Sequence, residues 1–167
     1  MASTLKVDTI AHSGGTSAMT IDSGGRINQP TLPRIFVSHS TNGGVAYVGG
    51  DQYVNSSTVV HNITAVGITF DGSNGRYTLP VSGDYYVSYF NMAYGGSGAV
   101  EWSVKLNQVG KFRSYTQTDG DKWVPYSCSG IVSATAGQYL TIVNSGAGGT
   151  SEGHGGTYSG FSIHLIG

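Results

Sequence analysis

The sequence predicts an all-β protein built as a sandwich or barrel. Gly supplies 27 of its 167 residues and Tyr another 11, whereas Asp, Glu, Lys and Arg together make up only 10%. This composition is typical of short strands joined by many turns, and it is unlike that of a helical protein. Turn signals follow one another every ~8–12 residues, and no segment shows a helical period.

Roughly ten strands are expected after residue 33, as in a β-sandwich or barrel. In chain order the predicted strands are 34–40, 58–65, 68–70, 76–80, 84–94, 100–109, 111–117, 123–133, 137–144 and 157–166. The polar segment 51–57 and the Gly-rich segment 145–156 are predicted to be loops. Within 100–109 the alternation places Trp102 and Val104 toward the core and Ser103 toward solvent.

Residues 84–94 form a predicted strand with two apolar faces. Tyr85 and Tyr89 point to one side of it, whereas Tyr86 and Phe90 point to the other. A small antiparallel sheet normally leaves one face to solvent. This strand therefore needs cover on both sides, which a second sheet and another subunit would supply.

Four segments carry a family resemblance. The first is Phe70 followed by Gly75-Arg76-Tyr77-Thr78-Leu79-Pro80-Val81-Ser82-Gly83-Asp84-Tyr85-Tyr86-Val87-Ser88-Tyr89-Phe90, and the others are 102–106, 129–140 and 158–163. In order and spacing they resemble the C1q and tumour-necrosis-factor-like domains, over residues 34–166. The sequence departs from that family at Gln138, where Asp is usual, and it has no collagen-like repeat before the domain.

The resemblance implies a ten-stranded jelly-roll β-sandwich over residues 34–167 that assembles as a homotrimer. The trimer interface is then expected on the aromatic strand and the last strand. Its expected residues are Tyr85, Tyr86, Tyr89, Phe90, Phe161 and Leu165.

Residues 1–30 are expected to form a separate arm. They contain no Phe, Trp or Tyr, and His12-Ser13-Gly14-Gly15 is echoed by Asp22-Ser23-Gly24-Gly25. Strands as short as those predicted here cannot bury enough surface to stand alone. The arm should therefore become ordered on a partner or by winding with copies of itself, and a floppy tail is the alternative.

The arm has a resemblance of its own. Residues 3–10, followed by 19–22, resemble the N-terminal segments of fibre and decoration proteins of tailed bacteriophages, especially marine and cyanobacterial ones. The resemblance implies a virion protein, made in the bacterial host cytoplasm and located on the virion surface. The arm would bind a capsid or tail protein, and the residues expected to anchor it are Leu5, Val7, Ile10, Met19 and Ile21.

Two positions on the virion stay open. The absence of a long shaft favours a capsid decoration or cement protein, or a short head fibre. The alternative is a tail-fibre, receptor-binding knob that recognises host surface glycans through tyrosines such as Tyr115 and Tyr158.

No catalytic, metal or cofactor site is visible in the sequence. None of the five His is spaced for a metal site, and no Ser–His–Asp set stands out. Residues 71–75 lack the Gly and Glu of a calcium loop and predict a turn, whereas Asp119-Gly120-Asp121 is left as a candidate calcium site in the trimer. Cys128 is expected to be a structural thiol.

Charge and hydropathy exclude two further classes of partner. A net charge of −1 argues against nucleic-acid binding, because no basic surface would release phosphate counterions. No apolar run approaches the ~18 residues of a membrane span. The sequence therefore predicts a protein that is not an enzyme and has no cofactor, no nucleic-acid partner and no membrane partner.

Overall fold

The structure, a computed structural model, describes residues 7–15, 17–39, 47–48, 52–54, 61–71, 73–94, 97–119, 123–144 and 160–167. The predicted loop 145–156 and the first three residues of the predicted last strand lie outside them. Contacts divide the chain into an N-terminal unit, Met1–Leu32, and a C-terminal unit, Pro33–Gly167.

The N-terminal unit contains a three-stranded antiparallel meander. Its strands are β1 (Thr9–Ala11), β2 (Ser17–Ile21) and β3 (Ile27–Asn28). The two Gly-Gly repeats of the sequence form matching turns between them. The Gly15 N–H donates to the His12 carbonyl over 2.8 Å, and the Gly25 N–H donates to the Asp22 carbonyl over 2.9 Å. Both glycines have positive φ, 86° and 78°, which an L side chain rarely adopts.

Twelve strands lie in the described part of the C-terminal unit. They are β4 (Arg34–His39), β5 (Tyr47–Val48), β6 (Gln52–Val54), β7 (His61–Val66), β8 (Thr69–Asp71), β9 (Arg76–Thr78), β10 (Gly83–Tyr94), β11 (Ser97–Leu106), β12 (Val109–Asp119), β13 (Trp123–Ala134), β14 (Tyr139–Asn144) and β15 (Gly160–Leu165).

These strands form two antiparallel sheets that pack face to face. The first sheet has the order β13-β10-β15-β4-β7. The second has the order β12-β11-β14-β6-β5, with β9 pairing to β14 and β8 to β9. Strands distant in sequence, such as β4 and β15, are neighbours in the first sheet. The strands that lie between β4 and β15 in sequence belong partly to the second sheet, so the chain crosses repeatedly between the two layers. The all-β sandwich expected from the sequence is confirmed.

The core fills the space between the two inner faces. Tyr85, Val87 and Tyr89 reach it from β10 and are 0%, 0% and 4% exposed. The Tyr89 hydroxyl donates to the Trp102 carbonyl on the opposite sheet over 2.9 Å. The period-two alternation of the aromatic strand therefore places its first apolar face inside the sandwich.

Aromatic rings fill one part of this core. Tyr77 is 1% exposed, and its ring stacks on Phe70 with centroids 4.6 Å apart and meets the edge of Phe161 at 4.7 Å. Near one edge of the sandwich, Phe112 of β12 lies over Gly130 of β13. A Cβ at Gly130 would stand 2.9 Å from that ring, so only glycine leaves room for it.

Two predicted element boundaries were wrong. β6 lies inside segment 51–57, which was predicted to be a loop, because pairing of Tyr53 with Val143 makes it a strand. β11 ends at Leu106 rather than at residue 109. Asn107 and Gln108 have positive φ, 47° and 70°, and form the two-residue turn that leads into β12.

Ser103 was expected to face solvent, and it is only 6% exposed. Its side chain does stand on the outer face of β11, as the alternation predicts. That face is buried in the middle of the sheet, where Thr141 and Val143 on neighbouring β14 are both 0% exposed. The alternation gave the correct side of the strand and the wrong degree of exposure.

Alkaline pH is expected to destabilise the C-terminal unit through its buried tyrosines. Burial raises the pKa of Tyr77 well above 10.0, and burial together with the neighbouring Cys128 thiol raises the pKa of Tyr89. The folded chain keeps phenol protons that the unfolded chain releases, so this stability is complete below pH ~10 and is lost as pH rises toward the folded pKa values. Thermal unfolding should therefore show a Tm that falls above pH ~10. A Tm that does not change above this pH would contradict the raised pKa values of the two tyrosines.

Candidate assembly surface

The outer face of the first sheet brings together side chains from five strands. Antiparallel register places Tyr86 of β10 beside His164 of β15 and Ile131 of β13. In the next row, Ser88 lies between Ser162 and Ser129. Phe36 of β4 pairs with Ser162 and so extends that row. The rows form a continuous face rather than a cleft.

Large apolar side chains stand exposed on this face. Phe36 is 47% exposed, Phe90 is 41% and Ile131 is 61%. The ring of Phe90 lies over Gly160, where a Cβ would stand 3.1 Å from it. Because Gly160 has no side chain, Phe90 can lie flat against the sheet and present its other side outward. We call the face formed by Phe36, Tyr86, Phe90 and Ile131 the assembly surface.

Polar groups on the assembly surface are mostly hydroxyls. The Ser88 and Ser162 hydroxyl oxygens are 2.9 Å apart and hydrogen-bond to each other. The rings of Tyr86 and His164 lie 5.2 Å apart. Residues of β10 and β13 also line a shallow depression of about 400 Å³. This face therefore offers apolar rings and small hydroxyls, with Arg34 of β4 beside His164 and Asp84 of β10 two positions before Tyr86.

The six residues that the sequence predicted at the interface lie in two different environments in the structure. Tyr85, Tyr89 and Phe161 lie inside the sandwich at 4% exposure or less, and Leu165 packs against the same core. The side chains of Tyr85, Tyr89 and Phe161 support the sheet from inside, and Leu165 is half-buried. Tyr86 and Phe90 are the two that stand on the assembly surface.

Sequence analysis missed Phe36 and Ile131. Both alternate with buried neighbours, since Ile35 and Val37 flank Phe36, and Val132 follows Ile131. The alternation itself was readable, but an isolated outward apolar residue is common on any surface. Only the sheet order shows that these two residues share a face with Tyr86 and Phe90.

The N-terminal meander also has one apolar face. Ile10 pairs with Met19, and Ile21 pairs with Ile27, so these four side chains lie on the same side. Ile10 is 48% exposed and Ile27 is 63% exposed. The opposite side carries the polar side chains Thr9, Thr20 and Asn28.

The anchor residues expected from the sequence fall mainly on this apolar face. Ile10, Met19 and Ile21 belong to it, whereas Val7 is half-buried just before β1 and Leu5 lies outside the described residues. No described residue of Met1–Leu32 is buried, so this unit has no core of its own. Ile27 was not among the predicted residues, although its alternation with Arg26 and Asn28 was visible.

Two other residues considered in the sequence, Asp71 and Cys128, have structural roles. Asp71 accepts hydrogen bonds from the Ser73 N–H over 2.9 Å and from Asn74 Nδ2 over 2.7 Å, which closes the predicted turn. These hydrogen bonds lower the pKa of Asp71, and the bond from Asn74 has the largest effect. The Cys128 thiol is unpaired, packs half-buried against the core and has its pKa raised by burial.

Metal and membrane features were searched over the same ranges. Among the described residues, no group of three or more His, Cys, Asp or Glu is placed to hold a metal ion. Of the candidate calcium segment only Asp119 is described, and Tyr158 lies outside the described residues. In those same ranges no helix has the length and apolar character of a membrane-spanning segment.

Comparison with known proteins supports the fold. No protein-family model matches this sequence, and no curated protein matches it. The structure of Eiger TNF from S. frugiperda is similar to this one, with a TM-score of 0.66 and 12% sequence identity. The match covers 82% of this chain and 94% of that chain. Together with the two packed sheets, this likeness shows that the chain has the expected C1q/TNF-like jelly-roll fold.

Proposed function

We propose that this chain is a non-enzymatic structural protein of a tailed-phage particle. In this proposal it forms a homotrimer that sits on the capsid as a decoration protein or short head fibre. The observation that carries the proposal is the assembly surface, where Phe36, Phe90 and Ile131 are 41–61% exposed on one sheet face. Several large apolar side chains exposed on one face mark an interaction site or an aggregation hazard.

Closure into a ring covers such a face on every copy. Three copies are proposed because the C1q and TNF-like domains that the sequence resembles assemble as homotrimers. A chain of net charge −1 has little electrostatic repulsion to keep its copies apart. The full chain should sediment as a trimer at micromolar concentration, and a monomer would contradict the assembly proposal.

The N-terminal unit supplies the proposed anchor. Its apolar face, formed by Ile10, Met19, Ile21 and Ile27, has no buried core beneath it. A small sheet with one apolar side is stable only when that side is covered. A capsid protein is the partner proposed here, on the strength of the phage-like arm sequence.

The arm can be tested with two substitutions at neighbouring positions of β3. Ile27→Asp places a carboxylate on the apolar face, so we expect particles assembled with this variant to lose most of the bound protein. Asn28→Asp adds the same charge on the opposite, polar face and should leave incorporation near the wild-type level. The amount of protein that copurifies with particles measures both.

Oligomeric state provides the control for this experiment. Both variants should remain trimers by sedimentation, because neither residue belongs to the assembly surface. Equal incorporation of the Ile27→Asp and Asn28→Asp variants would show that the apolar face does not hold the protein on the particle.

A further inference from the structure

The second sheet carries a cluster of cations on its outer face. Lys105 of β11 and Lys111 and Arg113 of β12 are three of the eight Lys and Arg in the chain. They line one depression of about 390 Å³, together with Glu101 and Ser103. A depression of this size is in the range of sites for small organic ligands.

The register of the hairpin creates this cluster. Ser103 pairs with Arg113, and a β-bulge follows Val104, so that Lys105 pairs with Gly110. The bulge leaves Lys111 as the extra residue of β12 opposite Lys105. Lys111 is six positions after Lys105 in sequence, and Arg113 is two positions after Lys111. The bulge thereby places all three cations on the same side of two adjacent strands.

Arg113 is held by a contact that a ligand can replace. Its Nη1 lies 3.3 and 3.4 Å from the two carboxylate oxygens of Glu101, and its side chain is 71% exposed. An ion pair this long is weak, because the guanidinium of Arg113 remains solvated. A ligand carboxylate can therefore take the place of Glu101 without a large loss.

The floor of the depression contains a polar group that lacks a partner. Ser103 is 6% exposed, and its hydroxyl makes no hydrogen bond within the described structure. The Thr141 hydroxyl, on the strand beside Lys105, is in the same condition. Buried hydroxyls are normally hydrogen-bonded, so each exception calls for an explanation. Both oxygens are closed to solvent, so neither is a direct contact for a ligand.

An exposed aromatic ring stands at the rim. Tyr115 is 62% exposed and pairs with Glu101 on the same face. A Tyr ring beside cations and hydroxyl groups suits a ligand that has an apolar ring face, several hydroxyls and a carboxylate. These are the features of an acidic sugar.

We infer that the outer face of the β11–β12 hairpin is a binding site for a carboxylate-bearing saccharide. Arg113 and Lys111 bind the carboxylate, and the Tyr115 ring packs on the sugar ring. This site lies on the sheet opposite the assembly surface. The inference does not depend on the trimer or on the proposed place of the protein in a virion.

Two matched sugars test the ligand class. The full chain is titrated by NMR with methyl glucuronide and with methyl glucoside, which differ by one carboxylate. We expect the glucuronide to shift backbone signals of β11 and β12 and the glucoside to bind about tenfold more weakly or not at all. Equal binding of the two sugars, or shifts confined to other strands, would overturn the inference.

Variants of the hairpin test the residue roles. Arg113→Gln should weaken glucuronide binding by about ten- to a hundredfold, whereas Arg26→Gln, which removes an exposed ion pair in the N-terminal unit, should change nothing. Tyr115→Ala should weaken binding and Tyr115→Phe should retain it. Ser103→Ala should leave glucuronide binding unchanged, because its hydroxyl oxygen is closed to solvent.

Sulfate separates a saccharide site from a general anion site. We expect inorganic sulfate to compete weakly, since it has no ring to contact Tyr115. Competition as strong as that of the glucuronide, together with no effect of Tyr115→Ala, would show a simple anion site and overturn the saccharide assignment. Loss of binding in the Arg26→Gln control would also overturn it.

Discussion

Phe90→Asp is expected to convert the proposed trimer into folded monomers. Phe90 belongs to the assembly surface and is 41% exposed, so its side chain is not part of the monomer core. In a trimer the substitution would bury an unpaired carboxylate against apolar side chains, which is among the most costly changes an interface can undergo. The association constant should fall by roughly a hundredfold or more, given the several kcal/mol that such burial costs.

Sedimentation velocity at micromolar concentration measures this change, and circular dichroism reports whether the monomer is folded. Val109→Asp is the matched control, because Val109 is a 62% exposed apolar residue on the second sheet. That variant should remain a trimer. A trimeric Phe90→Asp protein would show that the first sheet does not form the interface.

Tyr77→Ala is expected to cause the largest loss of folding stability. The Tyr77 ring is 1% exposed and contacts Phe70 at 4.6 Å and Phe161 at 4.7 Å between ring centroids. Its removal would leave a cavity between the sheets. A loss of about 3–5 kcal/mol is typical for such a truncation, which corresponds to a Tm lower by roughly 10–15 °C.

Tyr77→Phe separates the ring from its hydroxyl. The hydroxyl oxygen is buried and has no hydrogen-bond partner in the described structure. Its removal should leave the stability unchanged or raise it, because a buried unpaired hydroxyl costs free energy. Thermal unfolding at one fixed protein concentration measures both variants, since Tm depends on concentration in an oligomer. A clear loss of stability in Tyr77→Phe would mean that the hydroxyl has a partner.

The aromatic strand shows what the sequence could predict. Alternation depends only on the strand period, so the placement of Tyr85 and Tyr89 on one face and Tyr86 and Phe90 on the other followed directly. The buried face could then be assigned to the core. The period does not say which strands are neighbours, and for that reason Phe36 and Ile131 were not placed beside Phe90.

Elements that depend on distant partners were harder to predict. Tyr53 belongs to a strand because it pairs with Val143, some ninety positions further along the chain. The turn at Asn107 and Gln108 contains no Gly, the residue that most often marks positive φ. Neither that turn nor the adjacent β-bulge was predicted. The sequence therefore did not show that Lys105, Lys111 and Arg113 form a cluster.

Phe112 connects the two surfaces described above. In sequence it lies between Lys111 and Arg113, and its ring fills the space over Gly130, whose neighbour Ile131 stands on the assembly surface. The packing of one ring against one backbone thus links the proposed saccharide site to the proposed trimer interface. Phe112 is therefore a direct packing contact between the β11–β12 hairpin and the first sheet. Substitution of Phe112 would test whether sugar binding and subunit association are independent of each other.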